Sequence, residues 1–159
     1  MNDDGVTGDD LAQLELFRGL APDELAPLAA SARRRRLADG EVLFEQGRPA
    51  RSMYAILSGH LVLRAARGEH SIIVQTLGPG EILGWSTLRE EATSLTTGRA
   101  VGEIEVIEFP SGQVLDLVAS GSAGARVLIR RLFGIAAAHL DAAQSQLHRL
   151  GAEGVISGG

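Results

Sequence analysis

Apolar positions along this chain of 159 residues follow two different periods. Near the N-terminus, Leu25, Leu28 and Ala29 lie three and four apart, the spacing of one helical face. Pro22 suits the first turn of that helix, and Asp23 and Glu24 suit its positive end. A shorter helix, LAQLELF, precedes it, with Asp9 or Asp10 able to cap it and Gly19 near its end. From Leu37 to Phe109 the pattern changes. EVLF, MYAIL, HLVLRAA, HSIIVQTL and EIEVIEF alternate with turns at Gly40, Gly47, Gly59, Gly68, Gly78 and Gly80. Short apolar runs broken at this spacing predict an antiparallel all-β roll, sandwich or jelly roll. HLVLRAARGEHSIIVQTL reads as a hairpin closed at Arg67-Gly68-Glu69. After Phe109-Pro110 the helical period returns. A short helix is expected from about Gln113 to Ala119, then a break at Gly121-Ser122, then a long helix over 123–150 ended by Gly151. The expected organisation is a disordered segment over 1–8, one domain over 9–150 and a flexible tail over 151–159.

The long helix carries two apolar stripes. Ile129, Phe133, Ala136, Leu140, Ala143, Leu147 and Leu150 alternate steps of four and three, an a/d seam. Leu128, Leu132 and Ile135 form a second patch over the first half only. One stripe can face the β-roll and the other a second copy of the helix; the alternative is one helix lying flat on its own domain. The seam continues through Leu147 and Leu150, past the reach of a small roll, so a homodimer through Ile129, Phe133, Ala136, Leu140, Ala143 and Leu147 is the expectation.

Composition narrows the chemistry. There is no cysteine, which excludes disulfides and thiolate chemistry. All fifteen Lys+Arg residues are arginine, which excludes Schiff-base lysines and the lysine of a triphosphate-binding loop. The net charge of −5 argues against a nucleic-acid partner. MNDDGVTGDD has neither the basic start nor the apolar run of a signal peptide, and no run is long enough to span a bilayer. A cytoplasmic protein with no membrane partner is expected. Arg33-Arg34-Arg35-Arg36 reads either as a basic patch for nucleic acid or acidic membrane, or as an edge strand with solvated arginines. The absence of other basic residues around the run favours the strand.

No catalytic residue suggests itself. No serine sits in Gly-x-Ser-x-Gly, and Glu90-Glu91 are adjacent rather than convergent. His60 and His70 lack the His-x-His spacing of a roll-type metal site, and His139 and His148 read as surface positions, so no metal site is expected. The stretch from Leu77 to Ala100 is different. A Gly-Pro-Gly turn leads to Gly84, then to Trp85, Ser86 and Thr87, and a hydroxyl-rich segment follows. Glycine followed by hydroxyl residues and a short helical turn is the chemistry of an anion cradle. Trp85 is the one tryptophan, and either fills the open end of the roll or forms a pocket wall.

Three segments in order carry a family resemblance: Leu37-x-x-Gly40-Glu41-x-Leu43-Phe44-x-x-Gly47, Met53-Tyr54-Ala55-Ile56-Leu57-x-Gly59-x-Leu61-x-Leu63, and Leu77-Gly78-Pro79-Gly80-Glu81-Ile82-Leu83-Gly84. Together they resemble the cyclic-nucleotide-binding domain family, the β-roll sensor domain of the catabolite gene activator, protein kinase A regulatory subunits and cyclic-nucleotide-gated channels. The Gly-Trp-Ser sequence is similar to that of a bacterial subgroup of stand-alone domains. The resemblance implies a mainly β fold: an antiparallel, jelly-roll-like β-roll with N-terminal helices and a long C-terminal dimerisation helix. It implies a phosphate-binding cassette after Gly84, whose glycine is usually followed by a ribose-binding glutamate and, about ten residues on, by a phosphate-binding arginine. Here Trp85 takes the glutamate position, the arginine position falls near Ser94 or Leu95, and Thr96 and Thr97 follow. A charge-assisted contact is worth ~1.5–3 kcal/mol, so losing both costs several hundred-fold or more in affinity at roughly tenfold per 1.4 kcal/mol. Arg89 within the cassette and Arg99 just past it are the conceivable substitutes, with Ser86, Thr87, Ser94, Thr96 and Thr97 as neutral donors.

The reading is a non-catalytic regulatory or sensor domain with a degenerate cassette made of Gly84, Trp85, Ser86, Thr87, Arg89, Ser94, Leu95, Thr96 and Thr97. Its implied ligand is a cyclic nucleotide or another small anion. The alternative is a pseudo-sensor that binds no cyclic nucleotide and serves dimerisation or docks a protein. The family's transcription factors carry a helix-turn-helix after the long helix; nine residues follow Leu150 here, so no DNA reader is expected.

Overall fold

Two long strands form the spine, and the rest of the chain is wrapped around them. The computed structural model describes residues 5–156, with side chains described as far as residue 152. The elements in order are α1 (Gly8–Ala12), a 3₁₀ turn (Glu15–Phe17), α2 (Pro22–Ser31), β1 (Arg33–Leu37), β2 (Val42–Phe44), β3 (Ser52–Arg67), β4 (His70–Leu77), β5 (Ile82–Leu83), a second 3₁₀ turn (Trp85–Leu88), β6 (Thr97–Pro110), α3 (Ser111–Ala119) and α4 (Ala123–Ile156). Strands β3 and β6 pair antiparallel over most of their length. The sheet order is β1-β6-β3-β4, with β2 also on β6 and β5 also on β3. This is the expected antiparallel β-roll with helices at both ends.

The continuous apolar runs of β3 and β6 are explained by burial on both faces. Along β3, Tyr54 and Ile56 point into the roll, where they meet Leu37, Leu61, Leu83, Ile104 and Val106. Their neighbours Met53 and Ala55 point the other way, into a layer shared with Leu11, Phe17, Leu25, Leu28, Val114 and Leu128 from the helices. Strand β6 alternates likewise: Val106 faces inward, and Ile107 and Phe109 face the helices. Phe17 meets Phe109 edge to face, with ring centroids 5.6 Å apart. The β3–β4 hairpin closes as expected, with Arg67 opposite His70 and Gly68 at φ +60 in the tight turn.

Strand β1 is an edge strand, and its four arginines are paired rather than merely solvated. Arg33 and Arg35 both reach Glu108, at 2.9 and 3.2 Å. Arg34 bonds Glu105 and Asp10, and Arg36 lies 3.6 Å from Glu105. The alternation of strand side chains divides the run: Arg33 and Arg35 go to Glu108, Arg34 and Arg36 to Glu105, and Arg34 also to Asp10.

Three expected boundaries are corrected. Residues 1–4 of the segment expected to be disordered lie outside the described residues, but within 5–8 Gly5 bridges to Arg33 and Val6 is buried. Thr7, not Asp9 or Asp10, caps α1, and Asp10 closes the capping box by accepting from the Thr7 N–H at 2.8 Å. Helix α4 runs through Gly151 to Ile156, beyond the expected end at 150 and into the expected flexible tail. A helical glycine is disfavoured by only about 1 kcal/mol, too little to end a long helix by itself. Residues 157–159 of that tail lie outside the described residues.

Candidate functional site

The approach of the cassette to β3 starts at Gly84. Its φ is +98, and a Cβ there would lie 2.8 Å from the Ser52 carbonyl oxygen and 2.9 Å from Met53 Cα. Glycine is required on both counts, left-handed backbone and close approach. The 3₁₀ turn that follows is tied back to its origin: the Thr87 N–H donates to Gly84 O at 3.0 Å, and the Thr87 hydroxyl donates to the same oxygen. The Trp85 indole donates to Ile82 O at 2.9 Å. The second half of the cassette is held by the loop before β3. Ala50 N–H donates to Ala92 O at 2.9 Å, Ser94 N–H to Arg48 O at 2.9 Å, and Gly47 N–H to Ser94 O at 2.7 Å.

Between this cassette, the roll and α4 lies a cavity of about 1040 Å³. Phe44, Tyr54, Leu63, Leu77 and Leu83 supply much of its apolar wall, and Phe44 stacks on Tyr54 at 5.7 Å. Glu108 lies among them, in the interior of the roll. Burial pushes its carboxyl up, but hydrogen bonds from Arg33, then Ser52 and Arg35, outweigh burial and hold it below the usual carboxylate range. Burial and the neighbouring Glu108 charge push the Tyr54 phenol up. Helix α4 closes another side with Arg131, Gly134, Ile135, Ala138 and His139. Arg131 donates to the carbonyls of Glu15 and Leu16 at 3.0 and 2.9 Å.

Of the residues read from sequence as cassette ligands, Gly84, Trp85, Ser86, Thr87, Ser94, Leu95 and Thr96 line this cavity. Two do not. Arg89 lines a separate apolar cavity of about 700 Å³ between the 3₁₀ turn and α4, beside Leu88, Leu132 and Phe133. The 3₁₀ turn ends at Leu88, and the chain then leaves in extended conformation, which carries Arg89 to the other side. Thr97 already belongs to β6, and its hydroxyl accepts from the Gln46 N–H at 3.0 Å. Arg99, the other conceivable substitute, donates to Gly40 O at 2.6 Å, away from the cavity. Trp85 is a wall shared by the two cavities, not a plug in the roll.

Sequence reasoning missed Arg48, Arg51 and Arg131, the arginines that do line the main cavity. A signal for the first two existed: the segment between β2 and β3 must pass beside the cassette once both strands flank it. Among the described residues, no three His, Asp or Glu side chains gather as a metal would need.

A family model of the cyclic nucleotide-binding domain matches residues 34–120, more than half of the chain. The chain belongs to the cyclic nucleotide-binding domain family. The acetyltransferase Pat of Mycolicibacterium smegmatis is 37% identical over 92 residues, 58% of this chain and 28% of that protein. The cyclic AMP receptor protein of Thermus thermophilus is 32% identical over 104 residues, 65% of this chain and 48% of that protein. The chain thus spans less than half the length of either relative. The crystal structure of the Thermus thermophilus catabolite activator protein superposes with a TM-score of 0.71 at 27% identity, over 85% of this chain and 62% of that one. This cyclic nucleotide-binding domain therefore shares the β-roll fold, with its flanking helices, of the Thermus thermophilus catabolite activator protein. No helix among its described residues is long and apolar enough to cross a membrane.

Proposed function

We propose that this domain is a non-catalytic cytoplasmic sensor module that takes a small ligand between the cassette and α4. The observation that carries the reading is the cavity itself: a glycine-hinged cassette, the roll interior and the roofing helix converge on about 1040 Å³ of open space. The relative named as a cyclic AMP receptor protein supports a receptor role for the shared segment. The cassette is degenerate in this reading. Trp85 stands where the resemblance puts a ribose-binding acid, and Ser94 or the exposed Leu95 where it puts a phosphate-binding arginine. A cyclic nucleotide would therefore bind weakly unless cations outside the cassette replace them.

Helix α4 would pass the signal on as the seam of a homodimer. Leu128 is fully buried against the domain, with Leu132 and Ile135 packed beside it. Phe133, Leu140, Leu147 and Leu150 are 59–73% exposed on the helix. Ile129 is half-buried, and Ala136 and Ala143 are exposed. This uncovered stripe supports the dimer, because the protomer offers it no cover. A ligand that touches α4 can shift the dimer contacts only by its differential affinity for two helix positions.

The second reading is a pseudo-sensor that docks or dimerises without a nucleotide; the loss of both charged anchors favours it. A thermal-shift titration with cyclic AMP and cyclic GMP separates the two, since a ligand bound only to the native state must raise stability. Saturable stabilisation, with a change in Trp85 fluorescence, is the expected result. No shift at millimolar nucleotide refutes nucleotide sensing and leaves the pseudo-sensor.

A further inference from the structure

The anion-binding arginine that the cassette lacks has a spatial counterpart one segment away. The loop over 47–51 runs antiparallel to the second half of the cassette, with an isolated bridge between Pro49 and Thr93. The Arg48 carbonyl accepts a backbone hydrogen bond from Ser94, which with Leu95 marks where the resemblance puts the missing arginine. Both Arg48 and Arg51 line the main cavity, beside the hydroxyl residues Ser94 and Thr96.

The charges there are available. Among the described residues the Arg51 guanidinium has no hydrogen-bond or ion-pair partner, while its backbone carbonyl anchors Ser111. Arg48 has one ionic partner, Glu45 at 3.5 Å, and both side chains are largely exposed at 76% and 60%. A solvated pair of that kind contributes little and releases its arginine readily. The carboxylates lining the same cavity are mostly occupied. Glu108 holds Arg33 and Arg35, Glu81 accepts from Gly78 N–H, and Glu45 faces Arg48, which leaves Glu15. Arg131 is engaged with two carbonyls.

We infer that the anionic group of the ligand is held by Arg48 and Arg51, from the loop before β3, in place of a cassette arginine, and that the ligand is a phosphate-bearing small molecule. The inference rests on the cavity being a ligand site and adds where the charge goes. It predicts a ligand whose phosphate lies at the cavity mouth against the 47–51 loop and whose apolar body enters toward Phe44 and Tyr54.

The test compares the native protein, an Arg48→Ala/Arg51→Ala double variant and an Arg89→Ala control by calorimetric titration. The probes are cyclic AMP, its uncharged counterpart adenosine, and inorganic phosphate against chloride at matched ionic strength. Thermal melts establish that each variant is folded. Cyclic AMP binding at least about tenfold tighter than adenosine in the native protein, with that advantage lost in the double variant and kept in Arg89→Ala, supports the inference. Phosphate stabilising the native protein but not the double variant, with neither cyclic AMP nor adenosine binding, supports the anion site and refutes nucleotide sensing. Cyclic AMP bound equally by native and double variant upholds nucleotide sensing and overturns the anion site. No probe bound above chloride overturns both.

Discussion

Alanine at Gly80 and alanine at Gly84 separate two costs that the cassette combines. Both glycines have left-handed backbone, at φ +88 and +98. At Gly80 nothing lies within 4 Å of the added Cβ; at Gly84 the Ser52 carbonyl and Met53 Cα are already 2.8 and 2.9 Å away. The left-handed conformation alone costs roughly 1–2 kcal/mol for an L side chain. Forcing an extra methyl against backbone that cannot step aside adds about 1–3 kcal/mol. Gly80→Ala should therefore lose ~1–2 kcal/mol and Gly84→Ala roughly 2–5 kcal/mol, out of a total of about 5–15 kcal/mol for a domain. At this chain length the melting temperature falls by roughly 2–4 °C per kcal/mol, so the losses are about 2–8 °C and about 4–20 °C. Far-ultraviolet circular dichroism melts of the three proteins, with Trp85 fluorescence as a second probe, give the numbers. Equal melting temperatures for the two variants would refute the claim that the start of the cassette is pressed onto β3, since strain in φ is common to both.

Further expectations concern Glu108 and α4. Because hydrogen bonds hold the Glu108 carboxyl below its ordinary value of 4.5, its contribution is complete above that pH and is lost as pH falls through the folded-state value. Glu108→Gln should cost ~1–2 kcal/mol at neutral pH, a range set low because Arg33 is largely exposed. The gap to the native protein should narrow in acid; urea midpoints between pH 3 and pH 7 that run parallel would refute the assignment. Leu140→Glu should leave the monomer's stability unchanged within about 0.5 kcal/mol, because Leu140 is exposed, yet abolish the proposed dimer in sedimentation. An unchanged dimer would place the interface elsewhere.

The roll was legible because glycine turns and alternating strands are local signals. The hairpin at Gly68, the helices at both ends and the two stripes of α4 all follow from spacing. The cassette glycine was legible too, since a left-handed residue ahead of a hydroxyl-rich turn leaves a compositional mark. The occupants of the cavity were not. Arg89 and Arg99 are nearest in sequence to the position where the resemblance puts an arginine, but the extended step after Leu88 turns the first to the far side and the second donates to Gly40 O. Arg48 is distant in sequence and adjacent in space, because backbone pairing across the 47–50 and 92–94 segments is a long-range fact. The four-arginine run of β1 was legible as an edge strand, but its ion pairs were not, because Glu105 and Glu108 lie about seventy residues on.

The alternation along β3 and β6 has a mechanical consequence. Tyr54 and Ile56 face the interior of the roll while Met53 and Ala55 floor the helical layer, and on β6 Val106 and Glu108 do the same opposite Ile107 and Phe109. One pair of strands is thus a wall common to two rooms, and neither room can be dismantled alone. The roll interior and the helical layer should melt as one cooperative unit, with the backbone amides of 53–56 and 106–109 the last to exchange with solvent. A displacement at Tyr54 is, through the same peptide units, a displacement of the surface on which the helices rest.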